Sequence, residues 1–172
     1  MRIATLSLSL VSAVGFAAEP SPFPVVPDAE GDKLMVSATN PYVSSTGYSI
    51  LKQGGIAIDA MVAMQMTMSV VEPDMTGIGG GTFALFYQHD KDQFLALDGR
   101  DEASPSATPD MFMENGKPLS RNEILGPRSV AVPSTLRLLY SAHQEYGKLP
   151  WAELVQPAID LASKGYAMNS HT

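Results

Sequence analysis

Residues 57–100 read AIDAMVAMQMTMSVVEPDMTGIGGGTFALFYQHDKDQFLALDGR, and this stretch decides the fold class. From Ala57 to Val71, residues Met61, Val62, Met64, Met66, Met68 and Val70 leave almost no polar face, so the pattern predicts a helix covered on most sides. Pro73 stops it, and Gly77-Ile78-Gly79-Gly80-Gly81 follows as a loop, where glycine lets the backbone turn sharply or approach another group closely. Thr82-Phe83-Ala84-Leu85-Phe86-Tyr87 and Gln93-Phe94-Leu95-Ala96-Leu97 are separated by His89-Asp90-Lys91-Asp92, which reads as a β-hairpin. The class is therefore α+β. Two strands are marginally stable alone, so hairpin and helix both need partners that the rest of the sequence hardly supplies. The chain is expected to be one portion of a larger domain.

Upstream of this stretch, Leu34-Met35-Val36-Ser37-Ala38 reads as a short strand, and Asn40-Pro41 as the N-cap and first residue of a helix. Val43, Gly47, Ile50 and Leu51 mark its inner face, and Gly54-Gly55 its end. Downstream, Ala103 to Pro127 is rich in Pro, Ser, Asn and Gly and reads as a long surface excursion with a short helix near Asp110 to Met113. Ser129 to Val132 ends at Pro133, and Leu136, Leu139, Tyr140 and His143 mark a helix closed by Gly147. Trp151 to Gly165 holds another helical stretch in which Pro157 is expected to start a fresh turn.

Composition narrows the chemistry. The 172 residues carry a net charge of −7, are 45% apolar and 17% charged, and contain no cysteine. Disulfides, thiolate metal sites and cysteine nucleophiles are excluded. The 11 Lys and Arg are not clustered, which argues against nucleic acid as a partner, because phosphate neutralisation needs grouped cations. Arg2, the mostly apolar run Ile3 to Val14 and the small residues within Gly15-Phe16-Ala17-Ala18 read as a signal peptide over residues 1–18. Export to a periplasmic or extracellular location is the expectation. Residues 19–33, with Pro20, Pro22, Pro24 and Pro27, read as an extended leader, and residues 34–172 as the folded portion. No run reaches the roughly 20 apolar residues of a stable membrane span.

The glycine loop does not fit a dinucleotide site, since helix precedes glycines and strand follows them, the reverse of that fingerprint. A tight turn feeding a strand, or a backbone anion site, are the readings left. His89, His143 and His171 lack any metal-ligand spacing. His89 reads as solvated and His143 as an ordinary helix-surface residue. Arg100 stands directly after Asp98-Gly99 at a strand end. Its planar fork suits a carboxylate through two parallel hydrogen bonds, and an ion pair with Asp98, Asp101 or Glu102 is the competing reading.

Taken together, the segments resemble the γ-glutamyltransferase (glutathione hydrolase) family over roughly Met35 to Asn169. The resemblance rests on Gln53-Gly54-Gly55-Ile56-Ala57-Ile58-Asp59-Ala60, Val71-Glu72-Pro73 with Gly77 to Gly81, and Leu97-Asp98-Gly99-Arg100. Thr108-Pro109-Asp110-Met111-Phe112, Ser129-Val130-Ala131-Val132-Pro133, Tyr146-Gly147-Lys148-Leu149-Pro150-Trp151 and Gln156-Pro157-Ala158-Ile159 follow in family order. Departures from the pattern are Ile56 for asparagine, Asp101 for glutamate, Ser104 for proline and Ser134 for glycine.

The resemblance implies an N-terminal nucleophile hydrolase, an αββα sandwich of which this chain is an incomplete N-terminal portion of the large subunit. A precursor cuts itself, and the small subunit begins with a threonine whose hydroxyl attacks a γ-glutamyl amide such as that of glutathione, its free amine acting as base. Related acylases and capsule-processing transpeptidases share that fold. The threonine and the oxyanion glycines are expected beyond Thr172, so no catalytic residue is expected in this chain, and neither a cofactor nor a metal. Arg100 matches the residue that holds the substrate α-carboxylate, and the glycine loop is read as scaffold. The alternative expectation is a catalytically silent truncated fragment that serves as a partner-binding or structural piece.

Overall fold

The computed structural model describes residues 30–168. The expected signal peptide and most of the expected leader lie outside the described residues, as does His171. The chain divides into two units, Met1–Glu30 and Gly31–Thr172, and every described helix and strand belongs to the second.

Helix α1, Pro41–Lys52, starts as its sequence dictates: the Asn40 carboxamide oxygen accepts the Tyr42 N–H at 3.0 Å, and Pro41 needs no partner at the first position. Gly54, at φ 89°, adopts the left-handed turn that ends it. Helix α2, Ala57–Val71, buries Ile58, Ala60, Val62, Ala63, Thr67 and Val71. It packs against α1, against α4 (Thr135–Tyr146) and against α5 (Trp151–Lys164). Ile50, Ala60, Val62, Ala63, Leu138, Leu139 and Leu154 form the shared core. The apolar helix is covered only in part: Val62 is buried, whereas Met61, Met64, Met66, Met68 and Val70 are half-buried.

Strands β1, Thr82–Gln88, and β2, Gln93–Gly99, pair antiparallel from Thr82↔Gly99 to Gln88↔Gln93. A 3₁₀ turn, His89–Lys91, and Asp92 at φ 46° connect them. Ala84 and Leu97 pack against the helical core, and the Phe86 ring lies 5.5 Å from that of Tyr146 on α4. The other face carries Phe83, Leu85 and Phe94, which are 66%, 72% and 67% exposed.

Three expectations about secondary structure are corrected. Leu34 to Ala38 forms no strand, having no neighbour with which to share a ladder among the described residues. No helix forms near Asp110 to Met113. Instead β3, Met113–Glu114, and β4, Lys117–Pro118, make a small hairpin whose Asn115 and Gly116 stand at φ 50° and 75°, the left-handed pair that an Asn-Gly turn favours. A short helix α3, Arg121–Ile124, follows, with Glu123 accepting the Ser120 N–H at 2.8 Å; the Ser120 hydroxyl and N–H hold the Glu123 carboxyl below its usual range. Pro157 starts no fresh turn. Helix α5 runs through it unbroken, and Glu153, whose carbonyl loses its partner, lies on the exposed side where water replaces the bond.

A buried carboxylate joins the helices. Asp59 is 0% exposed and accepts N–H groups from Ile56 and Lys148, each at 2.9 Å. It thereby caps α2 and holds the α4–α5 connection, 89 residues away in sequence. His143 is also buried, which corrects its reading as a surface residue. Its Nε2 lies 2.7 Å from the Leu149 carbonyl and 4.0 Å from Asp59, so Nε2 carries the proton and donates to Leu149. The substitution Asp59→Asn turns one acceptor into a donor facing an N–H. A loss of about 3 kcal/mol follows from breaking a charged hydrogen bond in a buried site. Urea unfolding of wild type and variant measures it, and equal midpoints would show that this carboxylate does not hold the two segments.

Candidate functional site

The site expected from the sequence lies where β2 ends. Gly99 is buried against α4 because a Cβ there would stand 2.6 Å from the Leu138 Cβ. The chain then leaves the strand through Arg100 and Asp101, which run beside the glycine loop: a Cβ on Gly81 would stand 2.5 Å from the Asp101 nitrogen. Only glycine permits that approach. The neighbouring Gly80 carbonyl accepts N–H groups from Ser134 at 3.1 Å and Thr135 at 3.0 Å and the Thr135 hydroxyl at 2.8 Å. A carbonyl oxygen is thus seated on the N-terminus of α4, where unpaired N–H groups and the positive dipole end favour it.

Further bonds close the junction. The Ser134 hydroxyl donates to the Gly99 carbonyl at 2.6 Å, and Thr82 and Thr135 share a hydroxyl bond of 2.9 Å. Ser134 has φ −131°, so a side chain is unstrained where the family pattern has glycine, and its hydroxyl adds a bond that glycine lacks. Ile56, the other departure beside a helix start, is extended at φ −108° and keeps its N–H satisfied through Asp59.

Arg100 itself is 68% exposed at the side chain, and its Nε faces Asp101 at 3.2 Å. Its backbone N–H donates to Asp98 at 2.9 Å. Glu102 does not join them: it pairs with Arg137 at 2.9 Å and with Val132 through two backbone bonds of 3.2 and 2.8 Å. Of the three candidate partners for the guanidinium, Asp101 is therefore the one that holds it. The pair runs through Nε and is exposed, so the terminal N–H groups remain open to a ligand carboxylate. His89 is exposed at the far end of the hairpin, as read from the sequence, and stands in the turn that joins the strands. Sequence reasoning missed the polar cluster of Asp59, His143 and Leu149. Its one signal was a charged residue inside an otherwise apolar helix.

The sequence model of the family described as Gamma-glutamyltranspeptidase matches residues 43–172. The chain belongs to that family. It is similar to the glutathione hydrolase proenzyme of Bacillus subtilis (strain 168), 41% identical over 142 residues that cover 81% of this chain and 24% of that protein. The glutathione hydrolase proenzyme of Pseudomonas aeruginosa is 37% identical over 163 residues, 94% of this chain and 28% of that one. The crystal structure of Helicobacter pylori γ-glutamyltranspeptidase superposes with a TM-score of 0.79 at 32% identity, covering 84% of this chain and 42% of that one. The chain thus spans about a quarter of the length of these curated relatives. Its mixed helices and sheet form part of the N-terminal nucleophile hydrolase fold of this γ-glutamyltranspeptidase family. Among the described residues no helix is long and apolar enough to cross a membrane.

The tight junction makes a paired test. Gly81→Ala forces Asp101 away, and overpacking of this kind costs about 1 to 3 kcal/mol. Gly79→Ala meets no atom within 4 Å and serves as the control. Thermal melts of both variants are expected to show a lowered midpoint for Gly81→Ala only, and equal midpoints would contradict the close approach.

Proposed function

We propose that the protein to which this chain belongs hydrolyses or transfers the γ-glutamyl group of glutathione and related γ-glutamyl amides. In this reading Arg100 takes the α-carboxylate of the γ-glutamyl donor. The threonine that attacks the amide belongs to a small subunit released from the same precursor. The threonine hydroxyl adds to the amide carbonyl while its own α-amine takes the proton, the amide C–N bond then breaks as that proton passes to the departing amine, and the resulting acyl-enzyme passes its γ-glutamyl group to water or to an amino acid. This chain binds and orients. A γ-glutamyl substrate presents one α-carboxylate and one α-amine, and Arg100 with Asp101 supplies one charge of each complementary sign. Asp101 reaches less far than the family's usual glutamate, so its hold on the amine is the weaker of the two.

The observation that carries this reading is the position of Arg100. It follows a strand whose last residue is pinned by α4, and its exposed guanidinium is steadied by Asp101. Export through the N-terminal signal fits an enzyme acting on extracellular or periplasmic glutathione, and we include that location in the proposal.

A specific observation favours a second reading, in which the chain is a catalytically silent partner-binding piece: Phe83, Leu85 and Phe94 leave one face of the hairpin largely uncovered. Assay of the intact gene product with a γ-glutamyl anilide separates the two. Turnover supports the enzyme, and its complete absence supports the binding piece. In the active protein, Arg100→Ala is expected to raise KM for the anilide by about 10- to 100-fold, since a hydrogen bond to a charged group contributes about 1.5 to 3 kcal/mol. Arg100→Lys should recover part of the loss, because a point charge remains but the two-pronged geometry does not. An unchanged KM in Arg100→Ala would remove Arg100 from the site.

A further inference from the structure

The chain leaving Arg100 pairs at Glu102 with Val132 in an antiparallel bridge. Beyond the bridge, away from Arg100, Ser104 and Val130 line the same pocket. There the excursion forms an open pocket of about 470 Å³ lined by Ser104, Ser106, Met111, Pro127, Arg128 and Val130, the last three of which are exposed. Its one cation is Arg128, and none of the ion pairs among the described residues involves it. The Ser104 and Ser106 hydroxyls lie 2.8 Å apart, and the Ser106 N–H donates to the Ser104 oxygen at 3.3 Å. One hydroxyl hydrogen is used between the two serines, which leaves the other for a ligand. A guanidinium, a free hydroxyl and apolar walls of Met111, Pro127 and Val130 suit a single carboxylate attached to a short, partly apolar chain.

We infer that this pocket binds the second carboxylate of a γ-glutamyl peptide donor, the one on its leaving-group end, and so distinguishes peptide donors from uncharged γ-glutamyl amides. The inference rests on the proposed γ-glutamyl chemistry and adds a specificity residue, Arg128, to it. The spacing agrees. Arg100 and Ser104 are four residues apart along an extended segment, at most about 13 Å at ~3.3 Å per residue. Between its two carboxylate carbons a γ-linked tripeptide such as glutathione has about ten bonds of ~1.3 to 1.5 Å and spans about 12 to 13 Å when extended. One donor therefore reaches Arg100 with its α-carboxylate and the Arg128 pocket with its other terminus. Arg100 at one end of this segment, and the pocket that Ser104 shares with Arg128 at the other, act as a ruler for a dicarboxylate. In a chain of net charge −7, a carboxylate ligand depends on such local cations.

The test uses the intact gene product with Arg128→Gln and Arg128→Lys. The donors are glutathione, glutathione carrying a C-terminal amide, and a γ-glutamyl anilide. For Arg128→Gln, KM for glutathione is expected to rise about tenfold with kcat unchanged, while KM values for the amide and the anilide stay within twofold. Arg128→Lys is expected to restore part of the glutathione affinity. An equal effect on all three donors, or none on any, overturns the role of Arg128 while leaving the γ-glutamyl activity standing. Wild-type protein that turns over none of the three overturns both the activity and this inference.

Discussion

The constraint on which the structure depends is the covering of α2. A helix with Met61, Val62, Met64, Met66, Met68 and Val70 spread around its circumference has no side that water can take without loss. At ~25 cal/mol per Å² of apolar area, each uncovered methionine or valine forfeits about 1.5 to 3 kcal/mol, more than any surface ion pair returns. Helices α1, α4 and α5 are therefore arranged around α2. Once α4 lies against it, the start of α4 becomes a fixed point in space, and the loop and strand ends that meet that start inherit its position.

The site depends on that inheritance. Gly80 offers its carbonyl to the first N–H groups of α4, and Ser134 returns a hydroxyl to Gly99. Gly81 lets the Arg100–Asp101 backbone pass at a separation that no Cβ allows. These contacts are made by backbone atoms and short side chains, which lose little rotamer entropy on ordering. Arg100 is long and mobile in principle, but its Cα is placed by a lattice of bonds to a buried helix. An exposed side chain thereby acquires the defined starting point that the proposed ligand recognition requires.

Much of this was legible in the sequence, and the reasons differ from element to element. The all-round apolarity of residues 57–71, the Asn40-Pro41 start and the two apolar runs of the hairpin on either side of His89-Asp90-Lys91-Asp92 are local signals, and all three elements form where they were read. The position of Arg100 directly beyond a strand end was legible from Asp98-Gly99. The strand expected at Leu34 to Ala38 failed because strand character is a property of pairs, and composition does not reveal whether a neighbour exists. The burial of His143 was hidden because its partner, the Leu149 carbonyl, is delivered by a turn beyond the helix end. The Asn115-Gly116 hairpin was written in the dipeptide, but the surrounding proline- and serine-rich composition pointed to irregular chain. The close passage of Gly81 by Asp101 had no local signature at all, since it joins residues 20 positions apart through the packing of a third element.

In the proposed site, the ion pair between Arg100 and Asp101 sets how a ligand carboxylate would meet the guanidinium. With both side chains partly exposed, 68% and 27% respectively, the pair contributes only about 0 to 1 kcal/mol. A buried pair would hold the guanidinium at a cost in desolvation that an incoming carboxylate would have to overcome. A weak exposed pair instead narrows the orientations that the guanidinium samples and leaves it free to turn toward a second anion. The shortness of aspartate contributes to this, because it keeps the carboxylate near the backbone, against Gly81 and on the Nε side of the fork. Since long-range attraction for an anionic ligand is opposed by the chain's net charge and screened beyond ~8 Å, selectivity has to come from such short-range, directional contacts. An arginine steadied but not neutralised by its neighbour meets that requirement better than either an isolated cation or a tightly bound one.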